Sequence, residues 1–384
     1  MNACCPLCQV VPESNDNITF SRCPVNINVY YSTRALATAS PREDMHLCSC
    51  PNCSFIYNAS FNPSLIHFNE AFCSTQSASP SFIQDRQYLI QSVLSFVENP
   101  GTILEVGCGD GYFLSEFTSA AKCKGIGYDP SCPDNISLPA NIQIHRSFYT
   151  PDNASPDDID ILLCSMVLEH QPDPVSFLQS ITKALKPSCC IVIEVPNIQK
   201  SISTNRFHDF YYDHCNYFSP ETFHFCLHRS GLEILKCWEA FDENNLVALC
   251  RKSPTTFQNT TMAPKTPPMF EKLSHSYQLY LEEKSTQLNH ALSKGPVTFW
   301  GASAKCQTVL NTFNLSYQQI PFVLDNNPQL WGKFMVGTGN QVCAPAQLAS
   351  APYPKTIFLT NDTYITEITR QLTTIGISNR PLVF

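Results

Sequence analysis

The sequence lacks the features of a membrane-spanning or exported chain. No apolar run approaches the roughly 20 residues that cross a bilayer, and the start, Met1-Asn2-Ala3-Cys4-Cys5, has neither the basic nor the apolar segment of a signal peptide. Basic residues are few, since 24 Lys and Arg stand against 32 Asp and Glu, giving a formal net charge of −8. Binding to nucleic acid or anionic lipid needs clustered Lys and Arg. We therefore expect a cytoplasmic protein with neither partner.

The length and composition predict several packed units. At 384 residues and 43% hydrophobic content, the chain exceeds the usual size of one hydrophobic core. It has 20 cysteines, many of them inside apolar runs such as Cys189-Cys190-Ile191-Val192-Ile193. We interpret these as buried thiols rather than disulfides.

Two C-x-x-C pairs near the start have the spacing of metal ligands. They are Cys5-Pro6-Leu7-Cys8 and Cys50-Pro51-Asn52-Cys53. Four thiolates complete a tetrahedral Zn²⁺ site without an open position for catalysis, so we predict a structural zinc. Alternating sequence at residues 27–31 predicts short strands in a module too small to fold on its own core. Reduced thiols without metal are the alternative, and three further candidate ligands adjoin the pairs: Cys4, His46 and Cys48.

A glycine-rich turn follows an apolar strand pattern in the middle of the chain. Residues 102–114 read Thr-Ile-Leu-Glu-Val-Gly-Cys-Gly-Asp-Gly-Tyr-Phe-Leu, a strand, a G-x-G-x-G turn and the start of an amphipathic helix. Gly107, Gly109 and Gly111 allow the backbone to approach a ligand closely, and the helix points its amide groups at that ligand. A glycine turn that serves only packing is the alternative.

Two carboxylates near the turn indicate which kind of ligand it binds. Glu105 precedes the turn, and Asp129 ends a second strand pattern at residues 125–129. A carboxylate in that position suits a ribose diol, but the G-x-G-x-x-G spacing of pyrophosphate sites is absent. An adenosine ligand without pyrophosphate is therefore favoured.

Strand and helix patterns alternate to about residue 200. Strands are predicted at 142–145, 160–164 and 191–197 and a helix at 174–185, which indicates an α/β domain with a parallel sheet. Glu169 and His170 follow the fourth strand, so we expect them at the carboxyl edge of the sheet, where ligands bind.

Proton-handling side chains concentrate at residues 206–219. His214 is able to remove a proton from a substrate, with Asp213 or a hydroxyl orienting the ring or the substrate. Tyr211 is able to donate a hydrogen bond to a developing oxyanion. The alternative is an aromatic cap over the sheet edge, with a satisfied histidine.

The last third of the chain predicts a second α/β domain. Residues 253–268, rich in Pro and Thr, are typical of a linker, and apolar residues then recur at helical spacing from Leu273 to Leu292. Strands are predicted at 297–300, 320–324 and 356–360, each with polar groups at its carboxyl end. The turn from Gly301 to Lys305 at a helix start is able to receive a phosphate. A packing domain without a ligand is the alternative.

The order of these parts resembles that of the zinc-containing sugar C-methyltransferases, which methylate carbon 3 of nucleotide-linked 4-keto deoxysugars. The resemblance covers nearly the whole chain. Its marks are the C-x-x-C pairs, Glu-Val-Gly-Cys-Gly-Asp-Gly at 105–111, Leu168-Glu169-His170, Tyr-Tyr-Asp-His-Cys-Asn-Tyr-Phe-Ser at 211–219, Trp-Gly-Ala-Ser-Ala-Lys at 300–305 and Asn361-Asp362-Thr363-Tyr364.

The resemblance implies a class I methyltransferase sheet of Rossmann-like type, a zinc-binding module before it and a second Rossmann-like α/β domain after it. The implied bounds are 1–75, 76–255 and 256–384. The implied methyl donor is S-adenosylmethionine, with its ribose on Asp129, its amino-acid portion on the turn and its adenine beside Phe148. The implied cofactor-binding set is Glu105, Gly107, Cys108, Gly109, Gly111, Asp129 and Phe148.

The resemblance also implies a mechanism. His214 would remove the proton alpha to the ketone, Tyr211 or His170 would stabilise the enolate oxygen, and Asp213 stands where the family usually has Glu. Deprotonation would give an enolate whose carbon attacks the methyl group of the donor. The nucleotide part would contact Gly301, Ser303, Lys305 and Asn361. An O- or N-methyltransferase on another small acceptor, and a non-catalytic zinc-bearing binding protein, are the alternatives.

Overall fold

The structure is a computed structural model and describes residues 4–11, 17–67, 73, 79–134, 136–151, 158–253, 269–349, 354–377 and 380–384. The strands are β1 Asn17–Pro24, β2 Tyr30–Tyr31, β3 Arg42–Ser49, β4 Ile56–Asn58, β5 Thr102–Val106, β6 Lys124–Tyr128, β7 Ile142–His145, β8 Ile161–Ser165, β9 Cys190–Pro196, β10 Asn216–Tyr217, β11 Leu232–Ala240, β12 Asn245–Lys252, β13 Val297–Trp300, β14 Phe322–Leu324, β15 Phe334–Met335, β16 Gln341–Cys343, β17 Thr356–Leu359 and β18 Leu382–Val383. The α-helices are α1 Arg34–Thr38, α2 Pro80–Leu94, α3 Tyr112–Ala121, α4 Pro174–Thr182, α5 Ile198–Ser203, α6 Pro220–Arg229, α7 Met269–Lys294, α8 Ala304–Thr312 and α9 Ile365–Thr374.

The middle of the chain forms a seven-stranded sheet in the order β11-β12-β9-β8-β5-β6-β7. β12 runs antiparallel to its two neighbours, and the pairs from β9 to β7 are parallel. β5, β8 and β9 are almost entirely buried, which is why their sequences are continuous apolar runs. The chain moves outward from β5 to β7 and then returns to β8 on the other side. The carboxyl ends of β5 and β8 therefore form a topological switch point.

The sequence predicted most of this sheet. The strand at 142–145 has the predicted bounds, and the bounds of β6, β8 and β9 differ from prediction by one residue at each end. The helix predicted at 174–185 ends earlier, at Thr182. The antiparallel pair β11 and β12 was not predicted.

The end of the chain forms a second seven-stranded sheet in the order β18-β17-β13-β14-β16-β15-β2. β13 has parallel neighbours on both sides, β14 and β17, so its carboxyl end is again a switch point. The predicted strand at 297–300 has the bounds of β13, and α7 confirms the helical spacing that starts near Leu273. The predicted fold class, α/β with two Rossmann-like sheets, is confirmed.

The N-terminal residues share their core with the rest of the chain. β1, β3, β4 and β10 form a four-stranded sheet, in which β10 comes from the middle of the chain. β2 instead joins the C-terminal sheet through β15. The strand pattern at 27–31 thus gives a two-residue strand, because Ile27 is buried against Tyr211 and Ala304 of the other two parts of the chain. The module does not bury a separate core.

Some predictions lie outside the described residues. The linker, from residue 254 to 268, is among them, as are both predicted domain boundaries, 75/76 and 255/256. Within the described part of the chain, no helix combines the length and the apolar character that spanning a membrane requires. The cytoplasmic location stays a prediction.

Candidate active site

The glycine turn lies at the switch point of the middle sheet. Gly107, Gly109 and Gly111 have φ angles of +79°, +52° and +78°. A Cβ atom on Gly107 would lie 2.3 Å from Val167 Cγ2, and one on Gly111 would lie 2.6 Å from Ile144 Cδ1. Around Gly109 no atom of the described residues lies within 4 Å of such a Cβ. The middle glycine therefore faces open space, into which a ligand can approach the backbone.

Asp129 fixes this turn from the end of β6. Its Oδ2 accepts a hydrogen bond from the Gly109 N–H at 2.8 Å. Its Oδ1 accepts from the backbone N–H of Ser131 at 2.7 Å and from the Ser131 hydroxyl at 2.6 Å. The sequence predicted the position of this carboxylate, and the structure adds that it holds the glycine that faces the open space.

Glu105 is a buried carboxyl group beside the turn. It is 3% exposed, and its Oε2 has no hydrogen-bond partner among the described residues. Burial, with the nearby Asp129 carboxylate, raises the pKa of Glu105 to about 8. An unpartnered acidic oxygen and an open glycine face fit a ligand that carries both an amino group and a ribose, as S-adenosylmethionine does.

The remaining predicted cofactor residues lie on either side of the turn. Cys108 is buried, and its Sγ occupies the space that a Cβ on Gly127 would need, 2.6 Å away. Phe148 follows β7 and is 67% exposed. The adenine contact of Phe148 stays a prediction.

Two histidines lie together where β8 and the 211–217 segment meet. The ring centroids of His170 and His214 are 4.6 Å apart at an interplanar angle of 86°. His170 Nδ1 lies 2.9 Å from the backbone oxygen of Asp213, an acceptor that assigns the proton to this nitrogen. Burial lowers the pKa of His170 to about 4 and that of His214 well below its usual value. Both rings are therefore neutral at pH 7, the form that a general base requires.

Tyr211 packs its ring against that of His214, with centroids 4.8 Å apart. The Tyr217 hydroxyl fixes the backbone of Tyr211, because it accepts a hydrogen bond from the Tyr211 N–H at 2.9 Å and donates one to the Tyr211 backbone oxygen at 2.8 Å. Burial raises the pKa of the Tyr211 phenol well above its usual value. The phenol therefore stays protonated, which is the form that donates a hydrogen bond.

The predicted role of Asp213, orienting the imidazole or the substrate, stays a prediction. Its backbone oxygen accepts from His170, whereas its carboxyl group is 1% exposed, lies near the backbone amides of Ile27 and His214, and has no hydrogen-bond partner among the described residues. Burial raises the pKa of this carboxyl group to about 7.

Asn216 joins residues 211–217 to the turn after β8 by a hydrogen bond. Its Nδ2 donates to the backbone oxygen of Gln171 at 2.6 Å, and the Cys215 thiol donates to the Glu169 oxygen at 3.4 Å. β10 pairs on its other side with β4 of the N-terminal sheet. The predicted catalytic residues His214, Tyr211, Asp213 and His170 are thus brought together.

The sequence predicted that Glu169 lies at the ligand-binding edge of the sheet but gave it no chemical role, and the structure places it in the same cluster. A carboxylate oxygen of Glu169 and ring nitrogens of His170 and His214 all lie within 4.8 Å of one another. Glu169 is 1% exposed, and its Oε2 has no hydrogen-bond partner among the described residues. Its position in Leu168-Glu169-His170, next to a predicted pocket histidine, was the available signal.

Sequence reasoning also missed a buried ion pair that joins α2 to β9. Arg86 on α2 donates to both oxygens of Glu194 on β9 at 2.6 Å, and Ser165 and Asn245 complete the hydrogen bonds of Glu194. Arg86 also pairs with Asp85 at 2.7 Å. The two charges are far apart in sequence, so no local pattern joins them.

The C-terminal turn repeats the arrangement around Asp129. Asp325, at the end of β14, accepts from the N–H of Ala302 at 2.7 Å and from the N–H of Asn327 at 2.7 Å. Gly301 has a φ of +100° and, among described residues, no atom within 4 Å of a Cβ built on it. Ser303 caps α8 at this turn. The two sheets therefore carry the same carboxylate-held glycine turn at their switch points.

Lys305 and Asn361 have partners inside the protein. Lys305 Nζ lies 2.6 Å from Asp209 Oδ1, and Asp209 also pairs with Arg206 at 3.1 Å and accepts from Ser201 at 2.8 Å. Asn361, after β17, accepts from the Thr363 N–H at 3.1 Å. The ion pair joins the C-terminal turn to the segment that leads into Tyr211.

The four cysteines of the two C-x-x-C pairs lie together. Cys5 Sγ is 3.6 Å from Cys53 Sγ and Cys8 Sγ is 3.4 Å from Cys50 Sγ, with all four atoms within 4.8 Å of one another. Tetrahedral zinc with Zn–S bonds of about 2.3 Å needs sulfur atoms roughly 3.8 Å apart. The four thiols therefore fit zinc. The three alternative ligands lie apart from this group: Cys4 donates to Gln9, His46 contacts Thr19, and Cys48 lies on β3.

Two family models match the chain. One, a methyltransferase domain, matches residues 81–236, and the other, a C-methyltransferase C-terminal domain, matches residues 259–383. The first contains the glycine turn and the histidine cluster. The second contains the turn at Gly301.

Relatives match about a quarter of the chain. The tRNA U34 carboxymethyltransferase of Dichelobacter nodosus (strain VCS1703A) is 36% identical over 99 residues, 24% of this chain and 31% of that protein. The ubiquinone biosynthesis O-methyltransferase of Aeromonas salmonicida (strain A449) is 31% identical over 103 residues, 25% of this chain and 43% of that protein. The chain thus spans less than half the length of either relative.

Solved structures match just under half of the chain. Human N-acetylserotonin methyltransferase in complex with SAM has 17% sequence identity and a TM-score of 0.36, over 44% of this chain and 55% of that chain. The plantazolicin methyltransferase BpumL in complex with SAH has 15% identity and a TM-score of 0.37, over 46% of this chain and 86% of that chain. By its family matches and its sheet order, the chain carries a class I, S-adenosylmethionine-dependent methyltransferase domain followed by a C-methyltransferase C-terminal domain.

Proposed function

We propose that the protein methylates carbon alpha to the ketone of a nucleotide-linked deoxysugar, with S-adenosylmethionine as donor and His214 as general base. The observation that carries this proposal is the pair of neutral, buried imidazoles, His170 and His214, beside the Tyr211 phenol. A carbon acid must lose a proton before its carbon can accept a methyl group. A neutral imidazole beside a protonated phenol supplies a base and an oxyanion donor together.

The donor would be held by the glycine turn, Asp129 and Glu105. Bound there, S-adenosylmethionine supplies an electrophilic methyl group. Gly109 leaves room for the ligand, and Asp129 keeps the turn in place through its bond to the Gly109 N–H. The unpartnered oxygen of Glu105 would accept a hydrogen bond from the amino group of the ligand.

His214 would take the proton from the carbon next to the ketone, and the electron pair of the C–H bond would move onto the ketone oxygen. Tyr211 or His170 would donate a hydrogen bond to that oxygen. Burial of Tyr211 and His214, with His170 partly buried beside them, limits access of water to the enolate. The protein's main task is then to align donor and acceptor.

The nucleotide part would occupy the C-terminal turn. Support comes from the small buried cluster of Ile27, Tyr211 and Ala304, which joins the start of α8 to the segment that carries the proposed base. Gly301 faces open space at the start of α8, whose N-terminal amides favour an anion, and Lys305 and Arg206 both lie beside Asp209 near this turn. Such a site suits a diphosphate.

We also propose that Cys5, Cys8, Cys50 and Cys53 hold a structural zinc ion. The sulfur distances support it. All four positions around the metal would be filled by protein, so the ion takes no part in methyl transfer.

The test is to incubate the protein with labelled S-adenosylmethionine and a panel of nucleoside-diphosphate-linked ketosugars, and to locate the transferred methyl group by NMR. Wild type should label the carbon next to the ketone, and His214→Asn should bind the cofactor normally by calorimetry but transfer no label. Label on oxygen or nitrogen, or label transfer unaffected by His214→Asn, would contradict the proposal. Absence of binding heat with the cofactor would favour a non-catalytic protein.

A further inference from the structure

Glu169 is an acidic group that the proposed chemistry does not yet use. Its carboxyl group is buried beside the two imidazoles, with ligating atoms of Glu169, His170 and His214 all within 4.8 Å of one another. The Glu169 backbone is fixed, because its oxygen accepts from the Cys215 thiol at 3.4 Å. The short 3₁₀ helix Leu168–His170 holds the side chain at this place.

The carboxyl group of Asp213 lies outside this cluster. Asp213 adjoins His214 in sequence, but its side chain faces the backbone amides of Ile27 and His214 and is not a member of the group formed by Glu169, His170 and His214. Asp213 binds His170 through its backbone oxygen, which any residue at this position supplies. The carboxylate that shares a cluster with the His214 ring is therefore that of Glu169.

We propose that Glu169 is the positioning residue for His214, a role that rests on the proposed function. One ring nitrogen of His214 takes the proton from the substrate carbon, whose C–H electron pair forms the enolate. The other ring nitrogen donates its N–H to the Glu169 carboxylate, which pairs with the imidazolium that forms. After methyl transfer the proton leaves His214 for solvent. Hydrogen bonds between catalytic groups are often long before substrate binds and shorten in the complex.

The protonation of Glu169 and that of His214 depend on each other and on the groups around them. Glu169 and His214 are faced by the titratable groups His170, Asp213, Glu194, Cys164, Cys215 and Asp209. Burial raises the pKa of Glu169 to about 8, so near neutral pH the carboxyl group is largely protonated and carries no charge to pair with the imidazolium. The base-competent form has Glu169 ionised. Proton removal should therefore increase as pH rises, with an apparent pKa that belongs to the pair.

The first experiment needs no substrate. Histidine labelled with ¹⁵N in the zinc-loaded protein allows the His214 ring shifts, assigned with His214→Asn, to be followed from pH 6 to 9. In wild type they should report the ionisation of Glu169, and in Glu169→Gln that step should disappear. The same His214 titration in both proteins would overturn the proposal, as would loss of the step in Asp213→Asn with Glu169→Gln unchanged.

The second experiment uses turnover. With a nucleoside-diphosphate-linked 4-keto-deoxysugar and S-adenosylmethionine, Glu169→Gln should lower kcat by about 100-fold, the size of a general-base contribution, without changing cofactor affinity. Glu169→Asp should recover part of the rate and retain a rise with pH. Glu233→Gln, a surface carboxylate paired with Arg251, is the matched control and should leave kcat unchanged. Wild-type kcat and pH profile in Glu169→Gln would overturn the proposal.

The same two experiments separate the proposal from the proposed function. If no ketosugar is methylated, the proposed function fails, and the ¹⁵N titration still decides whether Glu169 pairs with His214. Metal content gives a further outcome. One zinc per chain is expected, whereas a second metal ion that is lost in Glu169→Gln would make the cluster a metal site and overturn the positioning role.

Discussion

At Gly109 the backbone adopts a φ of +52° beside open space, whereas Gly107 has φ +79° beside Val167. Gly109→Ala should leave the protein folded, because the left-handed conformation costs about 1 kcal/mol, but its methyl group would enter the space proposed for the donor. We expect at least a tenfold loss of S-adenosylmethionine affinity by calorimetry. Gly107→Ala places a Cβ 2.3 Å from Val167 and should lower the melting temperature instead. Unchanged cofactor affinity in Gly109→Ala would contradict the site.

The Asp209 carboxylate pairs with two cations, Lys305 and Arg206, in a largely buried site. Although burial alone would raise it, Lys305 holds the pKa of Asp209 well below its usual value. Asp209→Asn leaves two cations facing each other and should lower the free energy of unfolding by about 3 kcal/mol. Lys305→Met leaves Asp209 paired with Arg206 and should cost less. Denaturant unfolding of both variants checks this order, and the reverse order would contradict it.

The sequence predicted residues whose role follows from local spacing. Gly107, Gly109 and Asp129 stand at positions set by one strand, one turn and the next strand, so their meeting follows from the βα pattern. The membership of Glu169, rather than Asp213, in the cluster with His170 and His214 was not predictable, because it depends on how the 3₁₀ helix at 168–170 packs against residues 211–217. Adjacent residues in irregular segments have no period that tells which side chain points inward.

The two cysteine turns have the same hydrogen bonds. The Cys5 N–H donates to the Val10 oxygen at 2.9 Å and the Cys50 N–H to the Phe55 oxygen at 2.9 Å. In each turn the residue after the second cysteine, Gln9 or Ser54, has a positive φ. This repetition turns both pairs of thiols toward one centre, although neither turn has the glycine that such a φ favours.

Removal of the proposed zinc should weaken the methyltransferase domain as well as the cysteine turns. Phe55, beside Cys53, packs on Phe218 with ring centroids 5.2 Å apart, and the cysteines belong to the same buried cluster as β5 and β9. Chelation should therefore lower the melting temperature of the whole protein, measured by calorimetry alongside zinc content. Cys50→Ser should lose the metal, and the control Cys48→Ser should keep it. A methyltransferase domain that melts unchanged after chelation would contradict this coupling.

Across the whole molecule, the parts that the sequence predicted as three modules share their cores. The largest cluster contains residues of β1 and β3, of the segment around Phe210 and of the C-terminal sheet. Strands of two residues, β2 and β10, cross between these parts. The alternation at 27–31 predicted a strand where β2 lies but not its partner, and no pattern indicated β10. Both strands pair with segments far along the chain. The sequence therefore predicted each sheet but not the joining of the sheets.

Several buried acids make the stability of the cofactor-free protein depend on pH. Burial raises the pKa of Glu105 and Glu169 to about 8 and that of Asp213 to about 7. These groups are protonated in the native state at pH 6.5 and ionised in the unfolded state. The unfolded state therefore binds fewer protons, and the free energy of unfolding falls as pH rises from 6.5 to 8.

The buried histidines do not reverse this slope. Burial lowers the pKa of His170 and His208 to about 4 and that of His214 well below its usual value, so these rings are neutral in the native state above pH 6.5. In the unfolded state each is about half protonated at pH 6.5 and neutral above about pH 7.5, so together they offset only part of the slope from the acids. Their contribution is lost mostly as pH falls from about 6.5 toward 4, where it opposes the gain from the acids. Each acid that is still protonated in the native state lowers the free energy of unfolding by about 1.4 kcal/mol per pH unit as pH rises. Thermal unfolding of the zinc-loaded protein should show a melting temperature that falls between pH 6.5 and 8, and falls less in Glu169→Gln. A flat profile in wild type would mean that these carboxyl groups ionise at ordinary pH values despite their burial.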